Sequence, residues 1–120
     1  MTTTSLYSDT SVKEINSSDF NNGKLTFGKE GFLMCYAHWC PHCRKHLPMW
    51  LTLAEIVNNS NNNFVIASFD CMEENNKKLL KQLNITRFPT LFYFGKDGTL
   101  YPFQEELTSD NLVKYMQNRK

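Results

Sequence analysis

The segment Phe32-Leu-Met-Cys-Tyr-Ala-His-Trp-Cys-Pro-His-Cys43 sets two patterns end to end. Phe32 to Ala37 is an unbroken apolar run behind Gly31, the mark of a central strand covered on both faces. Pro41 then suits the first turn of a helix, because the N–H it lacks would have no partner there. A strand running into a helix puts Cys40 at the helix N-terminus, where free backbone N–H groups favour a thiolate. With the His42 imidazole nearby, Cys40 is expected well below the free thiol value of about 8.5, within the range of about 3.5 to 7.5 known for such sites. Cys43 falls one turn further in, near enough to form a disulfide with Cys40 but more buried and less acidic. One thiol of the pair attacks and the other resolves.

Around this segment the chain alternates strand and helix signals. Val12 to Ile15 alternates like a half-buried strand, and Asn16-Ser-Ser-Asp19 supplies caps for a short helix. Leu47, Trp50, Leu51, Ala54 and Val57 lay an apolar stripe along a helix running from Pro41 to about Asn58, with a kink expected at Pro48. Asn58 to Asn63 reads as a solvated loop and Phe64 to Asp70 as a second buried strand. Leu79, Leu80 and Leu83 face a following helix inward behind a polar front, Asn75 to Lys78. Leu91 to Phe94 and Thr99 to Phe103 flank Gly95-Lys-Asp-Gly98 as a hairpin, and Pro102 marks its second strand as an edge. Thr108 to Asn111 caps a last helix with Leu112, Tyr115 and Met116 inward and Arg119 and Lys120 at its C-terminal end. The order β α β α β α β β α requires an α/β fold: helical crossovers join parallel strands, the hairpin adds antiparallel ones, and helices cover both faces of the mixed sheet.

The 120 residues make a single domain, 1–120, with residues 1–10 expected to be flexible. Hydrophobic residues at 41% and charged residues at 21% suffice for a core without staples. A net charge of +1 provides no basic field for phosphates, so nucleic acid is excluded as a partner. No apolar run approaches the roughly 18 residues of a membrane span, and the first residues lack the pattern of a signal peptide. The expectation is a cytoplasmic protein, a monomer, with no membrane association. Four cysteines at 35, 40, 43 and 71 are too few and too uneven for a disulfide scaffold, so the close pair reads as chemistry.

Four blocks in order, Val12 to Phe20, Tyr36-Ala-His-Trp-Cys-Pro-His-Cys43, Phe69-Asp-Cys71 and Ile85-Thr-Arg-Phe-Pro-Thr90, resemble the thioredoxin superfamily, and within it single protein disulfide isomerase domains. The resemblance covers nearly the whole chain and implies the thioredoxin fold. It implies a thiol–disulfide oxidoreductase acting on protein thiols and disulfides through a mixed disulfide, with an unidentified reductase or oxidase as redox partner and no cofactor. Cys40 is then the nucleophile, Cys43 the resolving thiol, and Pro41 and His42 the tuning pair. Pro89 becomes a cis-proline beside the pair, and Phe88 the residue whose backbone meets an extended substrate. Trp39 reads either as an exposed docking surface or as a lid on the first helix, and its place just before Cys40 favours the exposed reading.

Three departures from that family stand out. Met34 occupies the position, six residues before Cys40, of a buried acid that exchanges protons with the resolving cysteine. The lysine that accompanies the acid is missing from Phe64 to Asp70, which leaves water or His42 to move the proton. Pro41-His42 is the dipeptide of strongly oxidising bacterial relatives, and an imidazolium there stabilises the reduced thiolate and raises the potential. A strong oxidant in a reducing compartment needs an oxidising partner, a situation known for virus-encoded relatives, and the Asn- and Lys-rich composition suits such an origin.

A rival reading keeps the fold as a redox-inactive binding or structural module, such as a virion or chaperone subunit. The missing acid favours it and the intact Cys-Pro-His-Cys argues against it. Metal binding by the cysteine pair with His42 and His46 is set aside, since a second C-x-x-C is absent. Cys35 and Cys71 read as buried inert thiols, and Trp50, Phe92 and Phe94 as core. His38, His46, Arg44 and Lys45 read as solvated.

Overall fold

A computed structural model of the chain describes residues 11–60 and 63–118. The expectations about residues 1–10 and about Arg119 and Lys120 lie outside the described residues. Five strands form one sheet in the order β1-β5-β4-β6-β7: β1 Lys13–Ile15, β4 Glu30–Tyr36, β5 Phe64–Asp70, β6 Thr90–Phe94 and β7 Leu100–Pro102. β1, β5 and β4 run parallel, while β6 is antiparallel to β4 and β7 antiparallel to β6. β4 is therefore the innermost strand, and Phe32 to Ala37 are 0% exposed, as its continuous apolar run requires. β7, which carries Pro102, is an edge.

Alternation of side chains across the sheet divides the core in two. On one face Phe32, Met34 and Tyr36 meet Trp50, Leu53, Ala54 and Val57 of α2 (Leu47–Ser60) and Leu112 of α4 (Ser109–Asn118). Phe32 is the hub there, touching Phe64, Phe103 and Tyr115 with ring centroids 5.3, 5.9 and 5.9 Å away. On the other face Leu33, Cys35, Phe69 and Phe94 pack against Leu79 of α3 (Lys77–Gln82).

The long helix expected from Pro41 to Asn58 is two helices, α1 (Pro41–Lys45) and α2, parted at His46. Pro48 has no N–H to give to the carbonyl of Arg44, one turn back, and its ring crowds that turn, so the kink becomes a break. α2 runs on to Ser60, into the stretch expected to be loop. A two-stranded ribbon was not anticipated: β2 (Phe20–Asn21) pairs antiparallel with β3 (Lys24–Leu25) around Asn22-Gly23, whose φ values are +55° and +79°. An Asn-Gly pair with both φ positive is the preferred two-residue hairpin turn, so the signal was present in the chain.

Asn76 corrects the sequence reading more sharply. It sits in the run read as a polar front yet is 1% exposed. Its Nδ2 donates to the carbonyl of Asp70 at 2.9 Å, and its Oδ1 accepts from the Ser17 N–H at 2.9 Å, tying the ends of β1 and β5 together. Asn76→Ala strips a partner from both backbone groups and should cost about 2–4 kcal/mol in urea unfolding. A loss below about 0.5 kcal/mol would show that these bonds do not hold the strand ends.

Candidate active site

The site begins where β4 ends. Ala37 to Cys40 form a turn closed by the Cys40 N–H donating to the Ala37 carbonyl at 2.9 Å. Cys40 is the N-cap of α1, in extended geometry, and Pro41 opens the helix. This is the strand-to-helix junction expected from the segment 32–43. Cys40 is 6% exposed and Cys43 0%, and both are free thiols.

The two sulfurs are driven apart in acidity. Burial opposes ionisation of Cys40 and is the largest single influence on it. The N–H of Cys43, the Cys43 thiol and the N–H of His42 together outweigh it and hold Cys40 below the ordinary thiol value. Cys43 is pushed up to about 12, first by burial, against a stabilising bond from the Ala37 N–H, and then by the hydrogen bond and negative charge of Cys40. The inequality expected between an attacking and a resolving thiol is present. Its source differs from the expectation, because His42 acts on Cys40 through its backbone N–H while its imidazole is exposed, where water and salt screen it.

The other expected site residues gather around Cys40. The Cys40 thiol points its S–H at the Phe88 carbonyl, 3.8 Å away, and the Phe88–Pro89 peptide bond is cis. Trp39 is 58% exposed and stands edge-on to the Phe88 ring, with centroids 6.1 Å apart at 88°. Arg44 and Lys45 are exposed. The His46 imidazole has its pKa lowered, chiefly by burial and then by Lys45 and His42, so it is less fully solvated than expected.

His38 departs most from its reading as a solvated side chain. Its Nδ1 lies 2.9 Å from Oδ2 of Asp70, a carboxylate 6% exposed at the end of β5. These residues are 32 positions apart in the chain, and no local pattern announces the pair.

Beneath the site, Met34 is 0% exposed and registers against Ser68 of β5 and Leu91 of β6. The Ser68 hydroxyl and the Trp50 indole N–H are buried with no hydrogen-bond partner among the described residues. Cys35 and Cys71 are both 0% exposed, on the sheet face away from Trp50. The Cys35 thiol is raised well above its ordinary value, first by burial and then by its hydrogen bond to Cys71, which fits the inert reading. Among the described residues no three His, Cys, Asp or Glu side chains converge as metal ligands. Two clefts of about 680 and 660 Å³ mark the surface, and neither is lined by Cys40 or Cys43.

A family profile described as Thioredoxin matches residues 11–118. Protein disulfide-isomerase 1 of Dictyostelium discoideum is 34% identical over 90 residues, which is 75% of this chain and 25% of that protein. Protein disulfide-isomerase of Drosophila melanogaster is 34% identical over 106 residues, 88% of this chain and 20% of that protein. The chain thus spans about a quarter or less of the length of these relatives. The first thioredoxin domain of mouse protein disulfide-isomerase A4 superposes with a TM-score of 0.74 at 20% identity, covering 90% of this chain and 74% of that one.

Alkylation of the reduced protein across a pH series reads the acidity split directly. Cys40 should be labelled at pH values below the ordinary thiol range. Cys43 should be labelled only at markedly higher pH than Cys40, since burial still holds its proton after alkylation has removed the Cys40 charge. Equal rates at the two positions would show that the fold does not separate them.

Proposed function

Because the chain belongs to the thioredoxin family, we propose that it is a thiol–disulfide oxidoreductase acting on protein cysteines through Cys40 and Cys43. The observation that carries this reading is the hydrogen-bonded pair of thiols held at opposite acidities, with the acidic member at the surface end. In one direction the Cys40 thiolate attacks one sulfur of a substrate disulfide, forming a mixed disulfide and releasing the other substrate sulfur as a thiolate. Cys43 then loses its proton and attacks Cys40, releasing the second substrate thiolate and leaving the Cys40–Cys43 disulfide. The reverse sequence oxidises a substrate dithiol.

The chain's own geometry prepares the second step. Two of the influences that hold the Cys43 proton are the hydrogen bond and the charge of Cys40. Both vanish once Cys40 is tied into a mixed disulfide, so Cys43 becomes more acidic when its thiolate is required. Burial remains, and with Met34 in place of a carboxylate the proton must leave through water or His42. Trp39, Phe88 and Pro89 form the docking surface, where the Phe88 carbonyl now facing the Cys40 thiol is available to an extended substrate backbone. An exposed Trp39 beside Phe88 suits a protein substrate. In a glutathione-reduced compartment, oxidising work requires a separate oxidase partner.

Equilibrating the protein in graded glutathione buffers and counting alkylated Cys40 and Cys43 by peptide mass tests the reading. Stabilisation of the Cys40 thiolate favours the reduced form, so the potential should lie above the roughly −270 mV of a thioredoxin-type reductant, toward roughly −180 to −120 mV. A pair that does not titrate would leave a redox-inactive scaffold, the reading that the missing carboxylate at Met34 favours. In the same system Cys43→Ser should accumulate a covalent complex with a protein substrate and Cys40→Ser should not, as seen on non-reducing gels. Equal trapping by both would overturn the assignment of attacking and resolving roles.

A further inference from the structure

We infer that His38, held by Asp70, is the positioning residue that sets where Cys40 sits relative to the N–H groups that ionise it. The inference rests on the proposed role of Cys40 as nucleophile and goes beyond it, since His38 and Asp70 belong to neither the cysteine pair nor the docking surface.

The turn Ala37 to Cys40 has one internal hydrogen bond, from Cys40 to Ala37, and such a turn is free to rock about its ends unless its corners are tethered. Its corners are His38 and Trp39. Trp39 rests against Phe88 through a ring edge, a contact that slides easily. His38 is bound at 2.9 Å to a side chain on the neighbouring strand. That bond is the directional anchor of the turn.

The anchor is itself fixed from three sides. Asp70 Oδ1 accepts from the Met72 N–H at 3.0 Å, Oδ2 faces His38, and the Asp70 carbonyl accepts from the buried Asn76 amide, whose own oxygen takes the Ser17 N–H. A line of hydrogen bonds thus runs from the residues after β1, through Asn76 and Asp70, to the turn that carries the nucleophile. A carboxylate oxygen accepts, so this bond takes its proton from Nδ1 of His38. Next to this line, the Cys71 N–H donates to the Tyr36 carbonyl at 2.8 Å, so the ends of β4 and β5 are laced together twice just before Cys40.

The consequence for Cys40 is geometric. Its lowered pKa depends on hydrogen bonds from the N–H groups of Cys43 and His42, working against burial. Hydrogen bonds weaken steeply with distance and angle, so a turn that drifts loses the stabilisation while the burial stays. The thiol would then return toward its ordinary value, and attack would slow for want of both thiolate and alignment.

Three variants of the full chain test this: His38→Ala, Asp70→Asn and His38→Asn. Alanine removes the donor. Asparagine at 70 places an amide NH₂ where one of two N–H groups needs an acceptor. Asparagine at 38 keeps a donor at the position of Nδ1 without the ring, so it serves as the rescue. The readouts are the ultraviolet absorbance of the Cys40 thiolate against pH, the rate of mixed-disulfide formation with a small aromatic disulfide, and thermal stability. His38→Ala and Asp70→Asn should raise the thiolate midpoint toward the ordinary thiol value and slow mixed-disulfide formation about tenfold or more. His38→Asn should stay within about twofold of the parent on both measures.

A shift in thermal stability with an unmoved thiolate midpoint would overturn the proposal and leave the pair merely structural. His38→Asn failing as badly as His38→Ala would overturn it too, because the ring or its charge would then matter and the bond would not. The midpoint reads the turn whether or not the protein turns over. A parent protein whose Cys40 and Cys43 never titrate in glutathione buffers therefore sinks the oxidoreductase reading separately from this one.

Discussion

Burial of β4 on both faces is the constraint from which the rest follows. Phe32 to Ala37 lie between β5 and β6 within the sheet and between α2 and α3 across it, so the strand has almost no freedom to slide or tilt. A one-residue slip would swap the two side-chain sets, putting Cys35 under the aromatic cluster and Phe32 opposite it. The end of a strand so held is a rigid platform. The turn Ala37 to Cys40 is built on it, and the position of Cys40 inherits its precision.

On that platform the chemistry arises from a contest between desolvation and hydrogen bonding. Cys40 and Cys43 are both largely covered, which alone would raise both thiols. Cys40 escapes because the first turn of α1 directs N–H groups and the Cys43 thiol at its sulfur, while Cys43 lies deeper and faces a developing negative charge. The two sulfurs are chemically identical in the sequence, and one helical turn of depth separates their behaviour. Break of the helix at His46 leaves α1 only five residues long, so this effect comes from individual N–H groups close to the sulfur.

The floor beneath the pair carries no carboxylate. Met34, Ser68 and Leu91 lie side by side on neighbouring strands, and Met34 and Leu91 share the core cluster that contains Cys43. Such a floor offers the Cys43 proton no carboxylate acceptor and leaves proton traffic to the solvent side. The buried Asn76 and Asp70 lie on the other flank of the turn, in the line from Ser17 to His38.

The strands Phe32 to Ala37 and Phe64 to Asp70, the hairpin around Gly95 to Gly98, the edge at Pro102 and the place of Cys40 at a helix start were all legible in the chain. Each rests on a local rule: a continuous apolar run, a turn residue, a missing N–H. Asn22-Gly23 was legible by the same kind of rule and was passed over. By itself the sequence determined the alternation of the main strands and helices and the place of Cys40 and Cys43 around a helix start, because periodicity and spacing act over a few residues. Tertiary structure decided that Asn76 is buried, that His38 meets Asp70, that His42 acts through its backbone, and that Cys43 holds its proton to about pH 12. Those outcomes depend on which distant groups share a dry environment, and no pattern along the chain encodes the distance between residues that only the sheet brings together.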